Sequence, residues 1–439
     1  MLMHASDIAA ALDAQLIGPD VVVEGASFDS RTIRAGQLFV PIVAERDGHD
    51  FVDAAVRAGA PAYLTSRGER VGDATAIVVA DTAAALMALG TFARRRLPDR
   101  VVGVTGSVGK TTVKDLAHAA LSAHLRTTSN PRSFNNELGL PLTLLNAPDD
   151  TEATVLEMGM RGFGEIARLC AVAQPSVGVV TVIGHAHTER VGGLDGVARA
   201  KGELVEALPR SGTAVLNAQQ DLCMALASRT VARVLTFGTD AGDVRASDVV
   251  LDDLARPRFV LVTPWGSAAV SLPISGPHNA LNAAAAAAAA LALGVPLPAV
   301  AAGLERVQVS PWRMETQRAV GGALILNDAY NANPTSTRAA LDALASVTLG
   351  VGGRRIAALG MLAELGADGP SQHRELVAHA TAMGIEVVAV DTAAYGLVPV
   401  DGIEGAVEAI GPIGPHDAVL VKGSRVAALE RLAERLLAR

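Results

Sequence analysis

The chain has 439 residues, half of them hydrophobic and 19% charged, with a formal net charge of -8. At about 150 residues per domain, that length is too great for one ordinary core and implies roughly three globular units. An acidic balance with no basic stripe excludes a nucleic-acid-binding protein, while leaving room for small anionic substrates at local sites.

Residues 1–98 alternate short strands (Val21-Val22-Val23, Leu38-Phe39-Val40, Ala62-Tyr63-Leu64, Ile77-Val78-Val79) with helices near 50–59 and 82–96, a small α/β unit ending at Leu97-Pro98-Asp99. The opening Met1-Leu2-Met3-His4 has neither the basic nor the long apolar region of a signal peptide, so a cytoplasmic protein is expected. The polar marks of this unit are Asp29-Ser30-Arg31 and Asp47-Gly48-His49-Asp50, which taken alone read as turns and caps.

Residues 99–309 form the second predicted unit. The β-branched run Val101-Val102-Gly103-Val104-Thr105 breaks into Gly106-Ser107-Val108-Gly109-Lys110-Thr111-Thr112, after which apolar residues recur at helical spacing (Val113, Leu116, Ala117, Ala120, Leu121). Strand, glycine loop and helix in that order turn backbone N–H groups toward an anion at a helix N-terminus, where the unpaired donors and the dipole favour phosphate. Lys110 would reach the β/γ-phosphates of ATP and Thr111 would hold Mg²⁺. Val104 stands where the longer phosphate-loop pattern has its first glycine, leaving the shorter Thr-Gly-x-x-Gly-Lys-Thr-Thr form.

Further along, Ser133-Phe134-Asn135-Asn136-Glu137 is a loop dense in side-chain amides, and the strand Thr154-Val155-Leu156 ends on Glu157. A carboxylate at the C-terminal end of a strand beside a phosphate loop is where a Mg²⁺ ligand is wanted; a solvated strand-end glutamate is the plainer reading. The strand 177–183 runs into Gly184-His185-Ala186-His187-Thr188-Glu189, where one histidine near Mg²⁺ fits better than a full zinc site. In the helix after Asp195, Lys201 falls on the apolar stripe of Val197, Ala198, Leu204 and Val205. It is either an inward lysine, whose neutral amine can take up CO₂ as a carbamate, or one that snorkels past the helix end.

The two cysteines, Cys170 and Cys223, read as buried small hydrophobes. Hairpin strands are expected at 258–263 and 269–274, followed by Gly276-Pro277-His278-Asn279 and a helix carrying eight consecutive alanines. Asn279 would contact adenine or cap that helix. The apolar stretch 280–293 is too short to span a bilayer.

Residues 310–439 open with Ser310-Pro311-Trp312-Arg313 and read βαβαβα, with strands at 323–327, 355–360, 385–390 and 418–421, hence a Rossmann-like parallel sheet. Polar groups at its strand ends are Asp328-Ala329-Tyr330-Asn331-Ala332-Asn333-Pro334 and Lys422-Gly423-Ser424-Arg425.

Taken together and in order, the Thr-Gly-Ser-Val-Gly-Lys-Thr-Thr loop, Asn135-Asn136-Glu137, Leu156-Glu157-Met158-Gly159, Ala186-His187, Ala200-Lys201-Gly202-Glu203, Gly276-Pro277-His278-Asn279, the 328–334 stretch and Val421-Lys422-Gly423-Ser424-Arg425 resemble the ATP-dependent Mur ligases over the whole chain. The resemblance implies three α/β domains: a UDP-sugar unit (1–98), an ATP-binding unit with a parallel sheet (99–309) and a Rossmann-like ligase unit (310–439). It also implies a cytoplasmic monomer that uses ATP and two Mg²⁺ to join D-alanyl-D-alanine to UDP-N-acetylmuramoyl tripeptide. A sister amide ligase, adding a single amino acid or of folylpolyglutamate type, is the alternative.

By the same resemblance, Thr105 to Thr112 cradle the phosphates, Thr111 and Glu157 serve one Mg²⁺, and His187 and carbamylated Lys201 serve the other. Asn279 would bind adenine, while Arg313 and Asp328 would bring the third unit onto the nucleotide in a closing swing. Ser30, Arg31, Asp47, Gly48, His49, Asn135, Asn136, Asn331, Asn333, Lys422 and Ser424 fall among the expected substrate contacts. Two departures stand out: Trp312, where the family usually has glycine, and Met361, where an aspartate is usual.

Overall fold

A computed structural model describes residues 1–68, 70–131, 133–184, 191–363, 365 and 369–439. Among them the chain builds four sheets. In the first part, Gln15–Ile17, Thr75–Val78, Ala62–Thr65, Leu38–Phe39 and Ala26–Ser27 form a five-stranded sheet in that order, and Leu2–His4 pairs separately with Val22–Glu24. The expected helix near 50–59 is a single 3₁₀ turn, Gly48–Phe51, running into the short helix Val52–Arg57.

The middle of the chain is a nine-stranded sheet. Val101–Thr105 lies between Ala153–Glu157 and Val177–Val180, parallel to both. From 101–105 the chain goes first to the edge strand Thr127–Ser129 and returns inward to 153–157, then crosses past 101–105 to 177–180 and continues through Thr213–Asn217 and Arg233–Gly238. The sheet therefore reverses its winding direction at 101–105, and a crevice opens beyond the carboxyl ends of the strands that meet there. The hairpin Pro257–Thr263 and Gly266–Ser271 appears, but it extends this sheet antiparallel through Val244–Leu251.

Under the sheet, the helix His278–Ala292 packs on Lys110–Ser122. All eight consecutive alanines, Ala283 to Ala290, are fully buried, since a side chain no larger than methyl lets the two helix backbones approach closely.

The last part is a five-stranded sheet ordered Glu315–Arg318, Leu324–Asn327, Ala418–Lys422, Arg355–Leu359, Ile385–Ala389. The last four are parallel, as the alternation of strands and helices predicts, and 315–318 is an antiparallel edge outside that pattern. An apolar cluster covers each face. No described helix is long and apolar enough to cross a membrane.

Candidate active site

The strand 101–105 stops at Gly106, where any Cβ would collide with the Thr181 hydroxyl, and Gly109 takes φ 85°, a left-handed conformation that glycine adopts without steric cost. The helix Lys110–Ser122 starts at the next residue, so its free N–H groups point into the crevice. Ser107 Oγ donates to Gly184 O (2.9 Å) and accepts from Gly184 N (3.0 Å), tying the loop to the strand end next door. Lys110 Nζ donates to Gly106 O across the loop at 2.8 Å.

Glu157 pairs with Val104 in the sheet, so its carboxylate emerges level with the loop. Thr111 Oγ1 donates to Glu157 Oε2 at 2.8 Å, and Asn135 Nδ2 donates to Oε1 at 2.7 Å. The backbone of Glu157 is itself clamped by Asn130, whose Oδ1 accepts from Glu157 N (2.9 Å) and whose Nδ2 donates to Glu157 O (3.1 Å). Asn130 is a positioning residue that the sequence pattern does not flag, because its partner is 27 residues away.

Lys201 is inward, only 2% exposed, and faces the same cleft. Burial, reinforced by the nearby Lys110 ammonium, pushes its amine well below the ordinary lysine range. Burial likewise lowers Lys110, with Glu157 acting in the opposite sense. The thiol of Cys223 is pushed up to about 12 by burial. Both cysteines are free and buried, as read from their apolar surroundings.

The third part of the chain closes the cleft, which holds about 770 Å³. Arg313 donates to Thr111 Oγ1 at 3.0 Å and lies 4.1 Å over the ring of Tyr330, while its Nε is buried with no hydrogen-bond partner among the described residues. Trp312 takes φ 61° and Met314 φ 52°, so the bulky residue standing at a usual glycine position does adopt the left-handed conformation. For a residue with a Cβ that costs on the order of 1 kcal/mol or more.

Of the phosphate-loop residues expected at a nucleotide, Gly106, Ser107, Val108, Gly109, Lys110, Thr111 and Thr112 line the cleft. So do Glu157, Lys201 and Arg313, together with Asn135, Asn136, Asn331, Asn333 and Ser424. His187 lies outside the described residues.

Four expected contacts from the middle and last parts of the chain do not line the cleft. Thr105 is buried and its hydroxyl donates to Met158 O at 2.9 Å. Asn279 spends both ends of its amide inside the protein, donating to Ser275 O (2.8 Å) and accepting from Asn282 Nδ2 (2.9 Å).

Asp328 and Lys422 form a buried ion pair, and Lys422 Nζ also donates to Asn331 O (3.0 Å) while Asp328 Oδ1 accepts from Met314 N (3.2 Å). This pair holds the 312–314 and 328–331 turns in place.

Asn333 lines the cleft but also caps the helix Pro334–Ala345, its Oδ1 accepting from Ser336 N (2.8 Å). Asn136 Oδ1 accepts from Gly139 N (2.9 Å) at the start of the helix Gly139–Leu145.

Ser30, Arg31, Asp47, Gly48 and His49 are away from this cleft wall. Arg31 donates twice to Asp29 and is otherwise exposed. His49 is buried between Asp47, whose Oδ1 lies 2.6 Å from Nδ1, and Ser66, whose N–H donates to Nε2 at 3.0 Å. Gly48 is required where it stands, since a Cβ there would run into the backbone of Ile42. The turn reading of these motifs matches their geometry.

The donor set suits a nucleoside triphosphate with a hard cation. Backbone N–H groups and Lys110 face the cleft for phosphate, and the oxygens of Thr111 and Glu157 adjoin for a metal.

Residues 104–290 match the Mur ligase middle domain and 312–425 the Mur ligase glutamate ligase domain. The UDP-N-acetylmuramoyl-tripeptide–D-alanyl-D-alanine ligase of Escherichia coli K12 is 34% identical, the match covering 97% of this chain and 96% of that one. A crystal structure of MurF from Acinetobacter baumannii superposes with a TM-score of 0.89 at 31% identity, over 100% of this chain and 99% of that one. MurF ligase from Thermotoga maritima in complex with ADP superposes with a TM-score of 0.82 at 28% identity, over 94% and 97% of the two chains.

Proposed function

The chain belongs to the Mur ligase family, and from that premise we propose how its cleft performs an ATP-dependent condensation. The reaction is the ligation of D-alanyl-D-alanine to UDP-N-acetylmuramoyl tripeptide, a step in making peptidoglycan precursors. One observation carries the assignment of parts: the phosphate loop, Glu157 and Lys201 share a single cleft with Arg313 and the 330–333 and 424–426 segments of the third unit.

A carboxylate and an amine do not condense in water, so the carboxylate oxygen must first become part of a leaving group. The terminal carboxylate of the tripeptide attacks the γ-phosphorus of ATP and ADP departs. The dipeptide amine then attacks the acyl carbon, the C–O bond to phosphate breaks, inorganic phosphate leaves, and the nitrogen loses a proton. Bringing two anions together requires neutralisation, which Lys110 and Arg313 supply from opposite sides of the cleft. Enclosure by the third unit keeps out water that would hydrolyse the acyl phosphate.

Two Mg²⁺ ions would add electrostatic neutralisation of the phosphates. Thr111 and Glu157 suit one ion, and His187 with a carbamate on Lys201 the other. In carbamylation the neutral amine nitrogen bonds to CO₂ and releases a proton, converting a buried cation into a pair of hard oxygens. Burial of Lys201 favours that neutral amine.

Residues 1–98, with Ser30, Arg31 and the Asp47-Gly48-His49 turn, are taken as the UDP-sugar unit, and 99–309 and 310–439 as the ATP and ligase units. The reading is of a monomer acting in the cytoplasm.

Phosphate release should require ATP, UDP-N-acetylmuramoyl tripeptide and D-alanyl-D-alanine together. Faster ligation of glutamate or of a single amino acid would overturn the acceptor assignment. Lys201→Ala should be nearly inactive and partly rescued by acetate, and ¹³C-bicarbonate should give the wild type a carbamate NMR signal that the variant lacks. Near-normal activity of Lys201→Ala in bicarbonate-free buffer would remove the carbamate from the mechanism.

A further inference from the structure

The third unit's wall of the cleft sets apolar groups, Ala332, Ala363, Leu365 and Val426, beside two guanidiniums, Arg313 and Arg425, and polar groups that include the hydroxyl of Ser424. Ser424 Oγ is buried and has no hydrogen-bond partner among the described residues. That mixture complements a ligand with two methyl side chains and one carboxylate. Of the two guanidiniums, Arg313 is turned to the phosphate loop, where it donates to Thr111.

Arg425 is held from two directions. Its NH1 donates to Glu430 Oε1 at 2.8 Å, and its Cζ lies 4.8 Å over the ring of Trp312. The left-handed turns at Trp312 and Met314 send neighbouring side chains to different tasks, Arg313 to the phosphate loop and Trp312 to Arg425. A guanidinium stacked on an indole keeps its plane fixed while its remaining N–H groups stay free for a carboxylate.

We propose that Trp312 is a positioning residue that orients Arg425 to bind the carboxylate of the acceptor dipeptide. The inference rests on the acceptor assigned above and deepens it: Arg425 makes the contact, and Trp312 acts only through it.

Steady-state kinetics with D-alanyl-D-alanine and ATP varied separately test this. Trp312→Leu should raise the KM for the dipeptide on the order of tenfold, the scale of one charge-assisted hydrogen bond, with kcat and the KM for ATP nearly unchanged. Trp312→Phe keeps an aromatic face and should restore most of the affinity, while Arg425→Lys should behave like Trp312→Leu. A dipeptide KM that stays put in folded Trp312→Leu, or a loss confined to kcat or to the KM for ATP, overturns the proposal.

The contact itself can be read without turnover. The chain has two tryptophans, and the other, Trp265, is an exposed hairpin residue, so Trp265→Phe leaves Trp312 as the sole indole. Adding Arg425→Met to that background should shift the emission of the ligand-free protein, and unchanged emission would mean there is no stack to act through. This readout also decides the matter should Trp312→Leu fail to fold. Wild-type protein that ignores D-alanyl-D-alanine would instead refute the acceptor assignment, whatever the emission shows.

Discussion

The two junctions of this molecule are built from opposite materials. Where the first part meets the middle, one apolar cluster runs through both: Leu86, Leu89 and Ala93 of the helix Thr82–Arg94 join Leu140, Leu144, Ile166 and Leu169. The polar groups there are satisfied at short range. Buried Arg94 donates to Ala173 O, Leu97 O and Asp99, and Asn146 exchanges hydrogen bonds with the backbone of Ala26. Where the middle meets the last part, the two apolar clusters on the faces of the last sheet are made from that part itself, apart from Leu254 and Ala255.

What crosses this second junction is largely polar: Arg313 to Thr111, Ser310 to Asp115, Thr316 to Ser275, Thr348 to Asp253. Apolar burial is non-directional and lost wholesale on separation, whereas a polar bond nets only about 0.5–1.5 kcal/mol because water can replace it. The first junction therefore behaves as a weld and the second as a clasp, suited to a part that admits substrates and closes over them.

Three perturbations probe that contrast. The largest effect is expected from Asp328→Ala, which strands Lys422 as a buried uncompensated cation and should cost about 3–5 kcal/mol. Because the last part has its own core, calorimetry should show it melting ahead of the rest; a single cooperative transition would erase the distinction between the junctions.

Leu86→Ala, at a fully buried position of the weld, should cost about 2–5 kcal/mol and lower the first and middle parts together. Separate melting of residues 1–98 would contradict a shared core.

The smallest change in stability is expected from Arg313→Ala, within about 1 kcal/mol of the wild type, since Thr111 can turn to water. Turnover should nevertheless fall by on the order of tenfold or more, and small-angle scattering should find the variant less compact than the wild type when an ATP analogue and the UDP-tripeptide are bound. Equal radii of gyration in an impaired enzyme would separate Arg313's charge from any role in closure.

Much of the site was legible because its chemistry is local. A phosphate loop needs its glycines, lysine and threonine contiguous at a helix start, and Lys201 betrays its inward direction by its place on an apolar stripe. Roles that depend on partners far along the chain were not legible. Asp328 and Lys422 stand at strand ends like ligand contacts, yet 94 residues apart they neutralise each other. Asn279 has the chemistry to bind adenine, and only the fold shows that its amide also bonds Ser275 and Asn282.

The sequence by itself determined the α/β class, the nucleotide loop, the family and most of the elements, since periodicity and motif spacing are properties of neighbouring residues. Tertiary structure alone decided which polar groups remain free to meet a ligand. It also decided that antiparallel strands extend three of the sheets, and that Trp312 bends left-handed to reach Arg425. Each of these outcomes is a long-range pairing, chosen by burial and hydrogen-bond satisfaction across the folded chain, which no local pattern encodes.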